Sequence, residues 1–522
     1  MIKRLCTFEH FWFLTLCFIS VFIYSKGMTD SYIVPKWCFT SLILLLGIIV
    51  LSVKRMCGEA LNWDILVCSN IISSVCVFQS LYGIARWLQL FSSDSRWVMG
   101  SFDNPAGFSA CLCAGFPFIL FSFKTIKSRK LKVVMGGMAF ITIWALFLSA
   151  SRAGIIGIIV IICVVLYKQI RIDEKSKIVL FICLLSLLLV GSYFFKKDSA
   201  DGRLLIWKCS WEMIKESPVL GCGTGTFRRY YMDYQSEYFR MYPNSRFAVL
   251  ADNVQCPFNE YLSIILNFGF WGIFALLVII SILLCCYRKN PSIEKKVALL
   301  SVLAIGIFSV FSYPFTYPFI WIIIFFCICI IVKGTFRLRM SAFYEKTLCS
   351  ITIIACMLSL SHLYQRIEAE YQWCEVSYMH NIVDYEELFS ILGKDPYFLY
   401  NYAVVLYDMN HLERSRNVAL LCRKEWADYD LELLLGDIYM REKEYTLAES
   451  SYKKASFMCP CRFIPLYKLF CLYKNIGCHD KAYVVAQEIN IKSEKIPSIA
   501  VRQIKCKIKR YMQKLDGYKE YE

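Results

Sequence analysis

The sequence predicts an all-α fold: a polytopic helical membrane protein with about eleven transmembrane helices, a large outer loop and a C-terminal helical-repeat domain. Of the 522 residues, 57% are hydrophobic and only 19% are charged. The hydrophobic residues form runs long enough to cross about 30 Å of hydrocarbon, which takes about 20 helical residues each. From about residue 365 onward the hydropathy drops and a repeat begins. We therefore expect a membrane domain over residues 1–362 and a water-exposed repeat domain over 363–522.

The apolar runs set the positions of the predicted spans. Polar residues interrupt the third run at Asp64, Asn70 and Arg86, so that span carries the least clear signal. The predicted spans lie near 8–24, 37–53, 62–84, 105–123, 133–150, 153–167, 178–195, 260–286, 297–313, 316–332 and 346–362.

Lys and Arg cluster in every second connection between these runs. The basic connections are Lys54-Arg55, Lys124 to Lys132, Lys168 to Lys177, Arg288 to Lys296 and Lys333 to Lys346. Short loops that stay in the cytoplasm are rich in these residues. We therefore expect a bacterial inner-membrane protein with a cytoplasmic N-terminus and a periplasmic loop (196–259) and tail. This clustering explains the net charge of +17 without a nucleic-acid partner.

The 26 cysteines predict neither a metal site nor a disulfide framework. Most lie inside apolar runs, where a thiol behaves as a small apolar group. Cys459 and Cys461, and Cys471 with Cys478, could form a bridge or bind a metal, but the matching pattern of His ligands is missing. We interpret them as packing residues and predict no metal and no cofactor.

Small and aromatic residues recur at fixed spacing in the C-terminal part of the chain. The clearest unit contains Gly436, Tyr439, Ala448, Tyr452, Ala455 and Pro460. Tyr473 and Ala482 follow one period of about 34 residues later, and a weaker copy precedes the unit near 406–416. The pattern is typical of a tetratricopeptide repeat, with an unrelated helical bundle as the alternative. Such a solenoid offers a surface for a protein partner.

Arg152 lies between two apolar runs on the predicted outer side, where basic residues are disfavoured. An ionisable group at the membrane edge is costly unless it has a partner or a ligand. The planar guanidinium suits phosphate oxygens, which it binds in pairs. The alternative is that Arg152 reaches the phosphates of membrane lipids.

The long outer loop contains a second arginine and a glycine-rich turn. Arg203 and Trp207 lie in a predicted helix that ends near Glu216, and Gly221 and Gly223 follow it. Glycines in such a turn can direct backbone N–H groups at an anion, although a plain turn explains them equally well. A nucleotide-binding P-loop is excluded because its Lys-Ser/Thr pair is missing.

Carboxylates and amides border two predicted spans on the outer side. The loop ends with Asp252, followed by Asn259 and Glu260 at the start of a span, where a carboxylate also suits the helix dipole. Asp103 and Asn104 directly precede the fourth span, which begins with a proline suited to a first helical turn. Both pairs are candidate site residues.

The order of these motifs resembles the O-antigen ligase family, which includes O-antigen polymerases and protein O-oligosaccharyltransferases. The resemblance covers about residues 95–285, and the repeat tail is similar to that of some members. The motifs are Asn-Pro-x-Gly at 104–107, Ser-Arg-Ala-Gly at 151–154, Gly-Arg-x-x-x-Trp at 202–207, Pro-x-x-Gly-x-Gly at 218–223 and Asn-Glu-Tyr-Leu at 259–262.

The resemblance implies transfer of a glycan from an undecaprenyl-diphosphate-linked donor at the periplasmic face, without a nucleotide or a metal. It implies a lipid A-core, polysaccharide or protein acceptor. Arg152 and Arg203 match the family's arginines that hold the diphosphate, with Gly221 and Gly223 as further candidates.

One position departs from the family pattern. Most members carry a His directly before the Asn of the last motif, where it activates the acceptor hydroxyl, but here Phe258 stands in that place. Glu260 and Asp252 are the nearby carboxylates that could replace it, with Asn259 beside them. The alternatives are a non-catalytic scaffold for envelope polysaccharide assembly and a transporter. The transporter is disfavoured because no paired broken helices are evident.

Overall fold

The computed structural model describes residues 7–90, 97–167, 169, 173–335, 341–379, 381–495 and 497–519, and these are all helices, turns and connecting segments. Parts of the predicted loops at 92–104, 168–177 and 333–346 lie outside the described residues. The chain divides into two compact units. The first comprises the residues up to Phe194, Phe258–Tyr261 and Phe274–Glu375, and the second comprises Phe195–Pro257, Leu262–Ile273 and the residues from Val376 onward.

Helices occupy every position at which we predicted a span. Within the described residues, seven helices are long and apolar enough to cross a membrane, and three shorter apolar helices accompany them. The number eleven thus stays a prediction. The helices are α1 Phe8–Phe22, α2 Ile33–Met56, α3 Ile65–Trp87, α4 Pro105–Thr125, α5 Arg129–Leu148, α6 Arg152–Leu166, α7 Glu174–Phe195, α10 Glu260–Lys289, α11 Ile293–Phe311, α12 Pro318–Val332 and α13 Ala342–Met379.

The polar residues of the third run are hydrogen-bonded, which lowers their cost in an apolar helix. Asp64 precedes α3 and accepts the Leu66 N–H at 2.9 Å as an N-cap. Inside the helix, Asn70 accepts the Ser122 hydroxyl at 2.7 Å, and Arg86 near its end donates to the Gly100 carbonyl at 2.5 Å. The length and hydropathy of α3 make it one of the candidate spans among the described residues, and the hydrogen bonds lower the cost of its polar groups in an apolar environment.

The core of the first unit surrounds α4. This helix packs against α3, α5, α6, α11 and α12. Its inward residues, Phe108, Leu112, Phe116 and Ile119 among them, are almost completely buried. Because α4 is buried on all sides, the residues just before it are held in one place, which matters for the candidate site.

The second unit combines the long loop with the C-terminal helices. Its loop helix α8 (Lys197–Glu216) packs on α9 (Thr226–Met241), and α9 packs on two helices of the C-terminal part. The C-terminal helices are α14 Ile382–Leu392, α15 Pro396–Asp408, α16 Leu412–Glu425, α17 Tyr429–Arg441, α18 Tyr445–Met458, α19 Ile464–Asn475, α20 His479–Ile491 and α21 Ile499–Lys519.

Helices α15 to α20 form three consecutive pairs with the predicted spacing. The first helices of the pairs begin at residues 396, 429 and 464, and the second helices at 412, 445 and 479. A side chain at Gly436 would meet the Tyr452 ring at 2.4 Å, so a small residue is needed where these paired helices touch. Helix pairs with this spacing and this contact are compatible with a tetratricopeptide repeat.

The predicted boundary after residue 362 falls inside a helix. We expected a span to end there, but α13 continues to Met379, and the second unit begins at Val376. One continuous helix can contain both an apolar and a polar stretch, because α-helical hydrogen bonds do not depend on side-chain polarity. Most of the loop predicted at 196–259, up to Pro257, belongs to the same compact unit as the C-terminal helices.

Candidate functional site

Asn104 fixes the start of α4 in the first unit. Its side-chain oxygen accepts the N–H groups of Ala106 at 2.8 Å and Gly107 at 3.0 Å, as an N-cap does. Pro105 follows at the first helical position, where its missing N–H costs nothing. This local chemistry confirms that the fourth span begins at Pro105.

The amide of Asn104 faces a short turn at residues 313–317, which we call the tyrosine turn. Its Nδ2 lies 3.2 Å from the Tyr313 hydroxyl and 2.9 Å from the Tyr317 hydroxyl. The Tyr317 hydroxyl donates to Asp103 Oδ1 at 3.1 Å. Asp103 and Asn104 therefore bind a turn that lies more than 200 residues away along the chain.

Gly107, the glycine of the Asn-Pro-x-Gly motif, allows the Tyr317 ring to pack against the start of α4. A side chain at Gly107 would lie 2.5 Å from the Tyr317 ring, which is closer than any packing permits. Tyr317 is only 1% exposed and also meets the Phe102 ring edge-on, with centroids 5.1 Å apart. The Asn-Pro-x-Gly pattern is thus explained by a capped helix start that receives a buried tyrosine.

Burial governs the electrostatics of Asp103 and Tyr317. Burial raises the pKa of Asp103, while the hydrogen bond from Tyr317 acts in the opposite direction. Burial and the neighbouring Asp103 raise the pKa of the Tyr317 hydroxyl, which stays protonated and remains a donor. A buried lysine, Lys36, donates to the Ile23 carbonyl at 2.8 Å and to the Ser101 carbonyl at 2.9 Å, which anchors the segment leading to Asp103.

The end of the long loop meets the same turn. The carboxylate of Glu260 accepts the Phe315 N–H at 3.2 Å, and the Phe258 ring meets the Tyr313 ring edge-on at 5.4 Å. Glu260 is the first residue of α10, as predicted. Within the described part of the chain, the Glu260 carboxylate forms no ion pair, so no cation neutralises it.

Phe258 adopts an unusual backbone conformation. Its φ is 51°, in the left-handed region that residues other than glycine rarely enter. Asn, Asp and His tolerate this region better than a bulky aromatic residue does. The family's His would therefore suit the backbone at this position at least as well as the phenylalanine.

Three of the predicted site residues, Asp103, Asn104 and Glu260, thus meet at the tyrosine turn together with Phe258. Asn259 lies between Phe258 and Glu260 along the chain. The sequence analysis assigned no role to the tyrosines of this turn or to Lys36. The available signal was the repeated Tyr-Pro at 313–314 and 317–318, which places two aromatic hydroxyls at a forced turn between two spans.

Arg152 is the first residue of α6 and belongs to the same unit. The preceding Ser151 caps the helix by accepting the Gly154 N–H, and one guanidinium nitrogen of Arg152 donates to the Ser192 carbonyl at 3.3 Å. The turn before it is tied to α4, because the Ser149 and Ser109 hydroxyls lie 2.9 Å apart. These contacts therefore hold the backbone of Arg152 in place at the start of α6.

Arg203 belongs to the second unit and lies partly exposed on α8. Trp207 follows one helical turn later, so the two side chains share a face of the helix. The indole N–H of Trp207 is buried, and among the described residues it has no hydrogen-bond partner. The family motif thus pairs a cation with an available donor on one helix face.

The glycines of the loop form a close backbone contact within the second unit. The N–H groups of Gly221 and Gly223 donate to the carbonyls of Ser217 and Asn267, at 3.1 Å and 3.0 Å. A side chain at Gly221 would lie 2.5 Å from the backbone of Asn267. These N–H groups are hydrogen-bonded within the chain, and diphosphate binding by the two glycines stays a prediction.

The segment that contains these glycines packs on a break in α10. Gly269 interrupts the helix with a φ of 62°, and a side chain there would lie 2.1 Å from the Val219 carbonyl oxygen. The Phe270 N–H donates to the Pro218 carbonyl at 2.9 Å. The backbone of the Pro-x-x-Gly-x-Gly motif therefore packs directly on the backbone around Gly269.

Asp252 has a cationic partner, unlike Glu260. Its Oδ1 accepts a hydrogen bond from Arg462 at 2.7 Å. Burial acts to raise the pKa of Asp252, but the hydrogen bond and charge of Arg462 outweigh it and hold the pKa below its usual value. A carboxylate held in its charged form by arginine is a weak base, so the geometry favours Glu260.

No group of three or more His, Cys, Asp or Glu side chains within the described ranges is placed to hold a metal ion. The cysteines in the same ranges are free thiols, including Cys459, Cys461, Cys471 and Cys478.

Comparison with known families gives one match. Residues 137–277 match the family model described as O-antigen ligase. This range contains Arg152, Arg203, Asp252 and Glu260, and it leaves out Asp103, Asn104 and the tyrosine turn. A comparison with curated proteins gave no match. The chain is therefore a multi-helix membrane protein in which residues 137–277 are similar to the O-antigen ligase family of membrane glycosyltransferase-like enzymes.

Proposed function

We propose that the chain transfers a glycan from an undecaprenyl-diphosphate-linked donor to a lipid or polysaccharide acceptor, at the periplasmic face of the inner membrane. The observation that carries this proposal is the family match over residues 137–277, which contains both arginines and the Glu260 segment. The ring of polar groups around the tyrosine turn supports it, because a buried polar cluster next to apolar helices is expensive unless it has a function.

In the proposed reaction, the acceptor hydroxyl attacks the anomeric carbon of the donor sugar. The new bond joins that carbon to the acceptor oxygen, and the bond from the carbon to the diphosphate oxygen breaks. Glu260 takes the proton of the acceptor hydroxyl, and undecaprenyl diphosphate leaves with the bonding electrons. Asn259 orients the sugar through its amide. The unpaired carboxylate of Glu260, half-buried and fixed by the Phe315 N–H, supports its role as base.

The leaving diphosphate needs fixed positive charge, which we assign to Arg152 and Arg203. Guanidinium groups bind phosphate oxygens in pairs, and such charge-assisted hydrogen bonds are about twice as strong as neutral ones. Asp103 and Asn104 act indirectly. They hold the tyrosine turn through Tyr317, and the Phe315 N–H of that turn holds the Glu260 carboxylate.

A polymerase or a protein glycosyltransferase of the same family would use the same residues. The non-catalytic scaffold is the second candidate, because Phe258 replaces the family's His. Deleting the gene and separating the surface polysaccharide on a gel distinguishes them. Loss of glycan from the lipid anchor indicates a ligase, and chains of a single unit indicate a polymerase. An unchanged pattern indicates a scaffold or a protein-directed enzyme.

We predict that a reporter active only outside the cytoplasm is active when fused after Glu522. The alternating basic loops, together with an α3 that is long and apolar enough to cross, support a periplasmic tail. The matched control is a fusion after Asn290, in a basic connection, which we expect to be inactive. If the fusion after Glu522 is well expressed but inactive, the tail lies in the cytoplasm and the prediction of a periplasmic repeat domain is wrong.

We predict that Phe258→His increases glycan transfer. The imidazole would add a base beside Glu260, and the left-handed backbone at this position accepts His. The matched control is Phe258→Asn, because Asn also tolerates this backbone but supplies no base. Initial rates with purified protein measure the effect. If Phe258→His leaves the rate of an active parent unchanged, this subgroup uses a geometry different from that of the family's His.

A further inference from the structure

The segment at residues 251–255, which we call the approach segment, leads through Cys256 and Pro257 to Phe258. It has no regular secondary structure, and side chains from the connections between the C-terminal helices of the same unit bind its polar groups. Asp428 Oδ2 accepts the amide of Asn253 at 2.6 Å and the amide of Gln255 at 3.3 Å. The Trp426 indole donates to Gln255 Oε1 at 2.7 Å.

Asp428 is built into this contact. It is only 1% exposed, and its other carboxylate oxygen caps α17 by accepting the N–H groups of Asp430 at 2.8 Å and Leu431 at 3.2 Å. One oxygen therefore serves the repeat helix and the other serves the approach segment. A buried carboxylate is costly unless both oxygens are hydrogen-bonded, and here both are.

The contact continues on the next helix pair. Arg462 donates to Asp252 at 2.7 Å while its guanidinium lies 4.5 Å from the centre of the Tyr429 ring. The thiol of Cys461 donates to the Ala251 carbonyl at 3.2 Å. Every residue of the approach segment except Val254 is therefore held by a side chain from one of the two connections that precede α17 and α19.

A loop helix completes the contact from the other side. Gln235 on α9 is completely buried, and its amide nitrogen donates to the Asp252 carbonyl at 3.0 Å and to the Met458 carbonyl at 2.6 Å. Its side-chain oxygen accepts the Tyr231 hydroxyl at 2.7 Å. One amide thus links the approach segment to the end of α18.

We infer that the repeat domain is an intramolecular clamp that holds the approach segment, which continues along the chain into Phe258 and Glu260. Asp428, Trp426 and Arg462 are its positioning residues. The inference rests on the proposed function for its consequence, but the clamp itself does not depend on glycan chemistry. Side chains that a repeat domain could offer to a foreign peptide are here bound to the protein's own loop.

Hydrogen exchange of the full-length protein in detergent micelles tests the clamp directly. In Asp428→Asn the amide oxygen can still cap α17. The amide nitrogen, which is a donor, then faces the donor amides of Asn253 and Gln255. Gln255 cannot reverse its amide without losing the Trp426 bond. We expect amide exchange in residues 250–258 to accelerate about tenfold, because a charge-assisted contact is lost.

The matched control is Asp395→Asn, since Asp395 caps α15 in the same way, accepting the Tyr397 N–H at 3.0 Å. We expect this variant to leave exchange at 250–258 unchanged. Trp426→Phe is a second test, because it removes the indole donor and keeps an aromatic ring beside Tyr397 and Tyr400. Unchanged exchange at 250–258 in both Asp428→Asn and Trp426→Phe would overturn the clamp.

Glycan transfer by the same variants tests the positioning role. We expect a lower kcat with an unchanged KM for the lipid-linked donor, because the base is displaced while the arginines stay. Accelerated exchange with a parental kcat would overturn positioning. If the parent protein itself transfers no glycan, the proposed function fails, and the exchange comparison still decides whether the clamp exists.

Discussion

Glu260→Gln should remove most glycan transfer, by about a hundredfold or more, because general base catalysis contributes about 10²–10⁴ in rate. Glutamine has nearly the same shape, and its carbonyl oxygen can still accept the Phe315 N–H that Glu260 accepts at 3.2 Å. The turn at residues 313–317 should therefore keep its position. We expect binding of the lipid-linked donor to stay at the parental level, which separates loss of a base from loss of the fold.

Glu294→Gln is the matched control for this variant. Glu294 lies in the first turn of α11 and has the same relation to a helix dipole, but it lies in a predicted cytoplasmic connection. A dipole contribution alone is about 0.3–1 kcal/mol of stability and predicts nearly normal transfer. If Glu260→Gln transfers glycan at the parental rate, Glu260 only caps its helix, and Asp252 becomes the next candidate despite its bond to Arg462.

Arg152→Ala and Arg203→Ala should each reduce transfer about a hundredfold while the protein remains in the membrane. Losing one charge-assisted contact to a diphosphate costs about 2–3 kcal/mol of transition-state stabilisation, and about 1.4 kcal/mol corresponds to a tenfold change in rate. Arg203→Lys should recover only part of the rate, because an ammonium keeps the charge but lacks the planar fork. Initial rates at saturating donor measure these effects.

Arg129→Ala is the control for the arginine variants. Arg129 is also the first residue of a helix next to the membrane, but it lies in a basic connection on the predicted cytoplasmic side. We expect it to transfer at the parental rate. Parental rates in Arg152→Ala and Arg203→Ala as well would mean that both arginines anchor the protein to lipid phosphates rather than bind the donor.

The sequence predicted those features that depend on neighbouring residues. Helix positions follow from apolar runs, and helix starts follow from caps such as Asn104 with Pro105, whose bonds span two or three residues. The spacing of the repeat pairs follows in the same way, because each pair packs mainly on its neighbour. The membrane spans and the stacked pairs were therefore accessible before the structure.

Features that depend on distant residues could not be predicted. The bond between Tyr317 and Asp103 joins positions 214 residues apart, and the bond between Arg462 and Asp252 joins positions 210 apart. No local pattern encodes such a contact. For the same reason the contact of Gly221 and Gly223 with the backbone of Asn267 could not be predicted.

The central claim is best tested with purified full-length protein in liposomes, supplied with an undecaprenyl-diphosphate-linked glycan and an acceptor. The account predicts that the glycan becomes covalently attached to the acceptor and that undecaprenyl diphosphate is released in equal amount. It also predicts that Glu260→Gln binds the donor but forms little product. A folded parent protein that binds the donor and leaves it unconsumed with lipid, polysaccharide and protein acceptors would contradict the account.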